Sequence, residues 1–249
     1  AARPIYPPDK EERGTMRKII ALAALPLFFV SSGAFAQDAE EEEPAAEWEI
    51  DAEIGAFSDY RFRGISLSSK DPQVTAEISV AHESGLYAGV WASNVAINNG
   101  ADDVELDLYA GYAADMGGAT LDVGAVYYLY PGNSDFNYVE LLASVAFAAG
   151  PGEITLGAAY APSQSNIGSE DNTYFYISGD MPIGETPLSV HGTFGIENGA
   201  FGDNKRDWLI GASYDLGSGI TATVDYVDTA RAFSPLGNAT VVGSLTFAF

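Results

Sequence analysis

Carboxylates dominate the chemistry available to this chain. Glu49, Asp51 and Glu53 recur at every second position, as do Glu105 and Asp107, while Glu77, Asp122, Glu140, Asp207, Asp215 and Asp225 stand among Gly, Ser and Thr. A wall of carboxylates along a narrow aqueous path raises local cation concentration and repels anions. The set therefore reads as the lining of a cation-preferring conduit; the plainer reading is that the acids only keep an interior wet. Bases are scarce: beyond residue 36 there are only Arg61, Arg63, Lys70, Lys205, Arg206 and Arg231, all in or beside stretches that read as long polar loops. Arg61 and Arg63 are candidates for a constriction, where base opposite acid would set up a transverse field. Their alternative partners are anionic lipid headgroups and neighbouring loop acids.

Other chemistries are thinly supplied. The chain has no cysteine, which removes disulfides and thiolate metal sites. Its two histidines, His82 and His191, lie in no G-x-S-x-G context and suggest no shared hydrolase site. Acid pairs at Asp102-Asp103 and Glu170-Asp171 lack calcium-loop spacing, and no phosphate-binding glycine motif occurs. No cofactor or metal is expected. The net charge of −24 argues against nucleic acid as a partner.

The acids need elements that turn them all to one side, and the sequence supplies strands. From residue 238 to the end, Val241, Gly243, Leu245, Phe247 and Phe249 fall on one face and Thr240, Val242, Ser244 and Thr246 on the other, a period of two. Twelve alternating segments can be counted, at 47–58, 73–83, 85–95, 103–114, 119–130, 137–148, 152–161, 172–180, 187–197, 206–216, 219–229 and 239–249. Most have the length at which a tilted strand crosses a bilayer, about 9–11 residues. Turns after even segments are mostly short and rich in glycine. Connections after odd segments are longer and polar, at 59–72, 96–102, 131–136, 162–171, 198–205 and 230–238. Such sorting of loop lengths is the habit of outer-membrane barrels.

The two faces sort as well. Trp48, Ile50, Ile54, Val74, Ile78, Val80, Val104, Leu106, Leu108, Leu121, Val123, Trp208, Ile210, Ile220 and Val224 share the side opposite the acids. A β-sandwich would bury the apolar set and expose the acids, and a transmembrane barrel would do the reverse. The ends of the chain decide between them. Met16, Arg17 and Lys18 precede an apolar run to Val30 and the triplet Ala34-Phe35-Ala36, which reads as a signal peptide over 16–36. Residues 1–15 read as an upstream extension without function, and the acidic stretch 37–46 as a disordered lead-in. Cleavage after Ala36 would leave 6 basic against 32 acidic residues, about −26. At the other end, Leu245, Phe247 and Phe249 resemble the last strand of bacterial outer-membrane proteins, in which the terminal Phe is an assembly signal read by the barrel assembly machinery.

Residues 58–95 read SDYRFRGISLSSKDPQVTAEISVAHESGLYAGVWASNV. Ser58, Tyr60, Phe62-Arg63-Gly64, Gly85-Leu86-Tyr87, Gly89, Trp91 and Ser93-Asn94-Val95 resemble the signature of the proteobacterial TorF family of porins, also called Gcw_chp. Residues 105–112 and 127–131, followed by Glu140, are similar to it too. The resemblance implies an outer-membrane β-barrel porin and carries neither an agreed substrate nor catalytic residues.

The expected protein is all-β: over 47–249, a transmembrane antiparallel up-and-down β-barrel of about 12 strands in the outer membrane of a Gram-negative bacterium. It would pass small hydrophilic solutes, preferring cations. The expected partners are outer-membrane lipid, those solutes and the assembly machinery, with oligomeric state left open. A non-conducting structural or adhesive barrel and a barrel enzyme are the alternatives. Tyr87, Trp91, Tyr112, Tyr127, Tyr138, Tyr160, Tyr174, Tyr176 and Trp208 are expected in interfacial girdles, whereas Tyr109, Tyr128 and Tyr130 fall on the acidic face.

Overall fold

A computed structural model of the protein describes residues 48–98 and 101–249. The expected segments at 1–15, 16–36 and 37–46 lie outside the described residues. Alternation along each strand leaves one row of side chains for each side of a sheet, and closing the sheet converts those sides into an interior and an exterior. Twelve strands close in this way: β1 (Trp48–Phe57), β4 (Gln73–His82), β5 (Leu86–Asn98), β6 (Ala101–Asp115), β7 (Ala119–Leu129), β8 (Tyr138–Ala149), β9 (Gly152–Ala161), β10 (Asn172–Pro182), β11 (Leu188–Gly199), β12 (Gly202–Gly217), β13 (Ile220–Ala230) and β14 (Thr240–Ala248). Each pairs antiparallel with its neighbours in the chain, and β14 returns to β1 with Ile54 opposite Phe247. Ala52 and Phe249 exchange backbone hydrogen bonds of 3.2 and 3.0 Å across that seam. The apolar end of the chain therefore leaves no free edge.

The exterior is apolar. Trp48, Ile50, Ile54, Val74, Ile78, Val104, Leu108, Leu121, Val123, Ile210, Ile220 and Val224 are all exposed. In water such a belt would be unstable; against lipid tails it carries no penalty and seals the backbone polarity inside the ladder. No helix among the described residues is long and apolar enough to cross a membrane; the crossing is made by strands.

Two of the connections expected to be long polar loops are strand instead. β11 and β12 continue to Gly199 and from Gly202, and β5 and β6 reach Asn98 and begin again at Ala101. The polar letters that suggested a loop at 198–205 have another cause. Glu197 and Lys205 face each other in register, buried on the inner side, and polarity there marks an interior rather than a surface turn.

The connection after β1 does not project outward. It carries a small hairpin, β2 (Arg61–Phe62) and β3 (Ile65–Ser66), turned at Arg63-Gly64 with φ of 43° and 82°. Two successive positive φ values are what a tight two-residue hairpin of primed type requires. Gly64 is also the point of closest approach to the wall, since a Cβ there would overlap Thr229 and Asp207. Tyr60, Phe62 and Leu67 pack inside the barrel with Trp91, Tyr128 and Tyr138 in a buried cluster. The loop's backbone joins the wall as well, where Ala96 N–H donates to the Leu67 carbonyl at 2.7 Å.

Candidate functional site

The interior has two halves. In the half nearer the longer connections, the inserted loop fills the space. Arg63 donates to Glu140 on β8 at 2.7 Å and to Glu197 on β11 at 2.9 Å, reaching across the two strands between them. Its guanidinium also lies 4.4 Å from the ring centroids of both Phe62 and Tyr174. Burial works against that charge, but the two carboxylates outweigh it and hold the guanidinium pKa well above its ordinary value. Lys205 Nζ donates to the Arg63 carbonyl at 2.6 Å, forms an ion pair with the other Glu197 oxygen at 2.7 Å and lies 3.4 Å from Asp207. Asn172 adds a 3.0 Å bond to Glu197, and Tyr174 a 2.9 Å bond to Asp207.

Tyrosine hydroxyls supply the other donors. Tyr60 and Tyr130 donate to the two oxygens of Glu105 at 2.9 and 2.8 Å, and Tyr128 to Glu140 at 3.1 Å. Burial first, and the Glu105 charge second, push the Tyr60 and Tyr130 hydroxyl pKa values well up. The base of the loop is fastened separately. Arg61 bonds Asp59 at 2.6 Å and the carbonyls of Leu236 and Asn238 at 2.8 and 3.1 Å, and Ser66 and Ser68 complete the shell around Asp59. Arg61 thus anchors the loop beside the β1–β14 seam while Arg63 latches it to distant strands.

The half nearer the short turns is more open and less cross-linked. Glu53 and Glu77 stand opposite each other in register, Tyr109 donates to Glu77, and Tyr87 donates to Asp122 at 2.9 Å. His191 Nε2 lies 2.7 Å from Asp225. Gly211 sits between them in register, and a Cβ on it would overlap both side chains.

The candidate acids are therefore unevenly placed. Glu105, Asp107, Glu140 and Asp207 are buried beneath or beside the loop; Glu53, Glu77, Asp122 and Asp225 are partly exposed on the same inner side; Glu49, Asp51 and Asp215 are exposed at the turn end. Arg63 is folded inward and Arg61 sits at the loop base. Tyr109, Tyr128 and Tyr130 face inward as expected. Tyr112, Tyr127 and Tyr160 are exposed outside. The girdle expectation fails for Tyr87, Trp91, Tyr138, Tyr174 and Tyr176, which face inward. Their rings cover wall glycines or pack against the loop: a Cβ on Gly111 would meet Tyr87, on Gly157 Tyr176, and on Gly195 Tyr174. A large ring beside a glycine on the neighbouring strand fills a gap that no pattern along a single strand reveals. Asp59, Glu197 and Lys205 were not among the expected site residues. Glu197 shares the parity of His191, which was the available signal; Lys205 had none, because its surroundings read as loop.

The comparisons agree with this architecture. The KdgM porin, solved in complex with disordered oligogalacturonate, superposes with a TM-score of 0.57 at 9% identity over 80% of this chain and 98% of its own. The NanC porin gives 0.51 at 11% identity over 80% and 98%. At such identities the likeness is one of fold. No curated protein matches the sequence significantly. A bacterial barrel with an apolar outer belt resides in the outer membrane, and residues 41–244 match the model described as "Bacterial protein of unknown function (Gcw_chp)". Since that match covers most of the sequence, the chain belongs to the Gcw_chp family.

Proposed function

We propose that the protein is a passive outer-membrane porin for small hydrophilic solutes, that its lumen prefers cations, and that the loop at 58–72 restricts the path. The observation that carries this reading is the charge imbalance of the inner wall. Glu53, Glu77, Asp122 and Asp225 line the more open half, and the buried half adds five carboxylates, Glu105, Asp107, Glu140, Glu197 and Asp207, against Arg63 and Lys205. A wall with that excess attracts cations and excludes anions. It would disfavour an acidic sugar such as the oligogalacturonate bound by the KdgM porin. No catalytic role is proposed for His191, whose Nε2 is engaged by Asp225.

The test is the zero-current potential of the refolded protein in a planar bilayer under a salt gradient. A potential displaced toward the cation equilibrium value supports the reading. Anion preference would transfer control to Arg61 and Arg63. The dense packing around Tyr60, Phe62 and Trp91 favours a second reading, a closed structural barrel; a folded protein that conducts neither before nor after release of the loop would establish it.

A further inference from the structure

Asp107 is wholly buried, and neither of its carboxylate oxygens has a hydrogen-bond partner among the described residues. Each of the other four buried carboxylates in this half of the barrel has at least one donor: tyrosine hydroxyls for Glu105, Arg63 and Tyr128 for Glu140, Arg63 and Asn172 for Glu197, and Tyr174 with Lys205 for Asp207. One oxygen of Glu140 and one of Glu197 also lack a hydrogen bond, the latter facing Lys205 as an ion pair at 2.7 Å. Five acids against two bases leave this dry region short of positive charge, and an uncompensated buried carboxylate is among the costliest arrangements a fold can hold.

We infer that Asp107 holds a monovalent metal cation, sodium or potassium, inside the loop-filled half of the barrel. A cation shared by both oxygens satisfies the two bare acceptors together and offsets part of the excess charge of Glu105 and Glu140. A proton on Asp107 would remove its charge but leave its second oxygen unmet. The neighbours suit a partly dehydrated cation. Asp107 stands in register between Trp91 on β5 and Tyr128 on β7, both buried, and aromatic faces attract cations in desolvated surroundings. The inference deepens the cation-preferring reading but is tested by stability, so it can fail while conduction stands, and the reverse.

The experiment compares thermal midpoints of the refolded protein in sodium chloride, potassium chloride and N-methylglucamine chloride at equal ionic strength. A midpoint higher by at least about 3 °C with either metal, lost in Asp107→Asn but kept in the exposed loop control Glu185→Gln, is the expected result. Equal midpoints in all three salts would overturn the inference, as would a metal effect that persists in Asp107→Asn. Should that variant fail to fold, sodium-23 line broadening on wild-type protein decides. Broadening reversed by potassium supports the site, and none overturns it.

Discussion

The two halves of the barrel use the same residue types to different ends. Toward the loops, Glu140, Glu197 and Asp207 are buried and tied to Arg63 and Lys205 by short ion pairs. Toward the turns, Glu53, Glu77, Asp122 and Asp225 keep access to solvent and take at most a tyrosine or a histidine. Burial makes the difference. A carboxylate in water needs no partner, whereas one beneath the loop does. In the first half carboxylates hold structure; in the second they stay open to solvent.

The largest test of that division is Arg63→Ala, which takes from Glu140 its only basic partner among the described residues and from Glu197 one of two. We expect a loss of about 3–5 kcal/mol in stability or expulsion of the loop, read as a lowered thermal midpoint together with higher single-channel conductance. If both stay at wild-type values, the loop is held by packing alone. Glu197→Gln weakens the bonds from Arg63, Lys205 and Asn172 but keeps the side chain's shape, and it should cost about 1.5–3 kcal/mol in denaturant titrations.

The opposite half should respond in selectivity rather than stability. The double change Glu53→Gln and Glu77→Gln is expected to lower the cation-to-anion permeability ratio while shifting stability by under about 1 kcal/mol. A large fall in stability would show these acids to be structural after all. Gly211→Ala puts a methyl between His191 and Asp225 and should cost on the order of 1 kcal/mol. It should also change any dependence of conductance on pH between about 5 and 8, the range in which imidazole titrates.

The smallest effect concerns alkali. The Tyr60 hydroxyl has a folded pKa raised above its value in the unfolded chain, first by burial and then by Glu105. A group that keeps its proton longer when folded contributes stability below the unfolded pKa of about 10. That contribution is lost as pH climbs from there toward the folded pKa. Arg63, raised in the same sense, stays charged throughout. Alkaline loosening should therefore follow tyrosine ionisation, seen by ultraviolet absorbance, and diminish in Tyr60→Phe.

Much of the architecture was legible along the chain. All twelve strands lie close to their expected segments, because lipid outside and polar groups inside impose a period of two on every strand, and a register slip of one residue would invert every side chain. Which inward acids are buried was not legible. Glu77 and Glu105 look alike in sequence, yet the loop covers only Glu105, through Tyr60, 45 positions upstream.

The sequence by itself determined the number of strands, the inner and outer faces, and the carboxylate excess of the interior, since each follows from local alternation and composition. Tertiary structure alone decided that the first long loop folds back into the barrel, that Arg63 bridges Glu140 and Glu197, and that Lys205 belongs to the interior. Those contacts join residues 77, 134 and 142 positions apart. Only closure of the sheet brings such distant side chains together, and only burial makes their charges depend on one another.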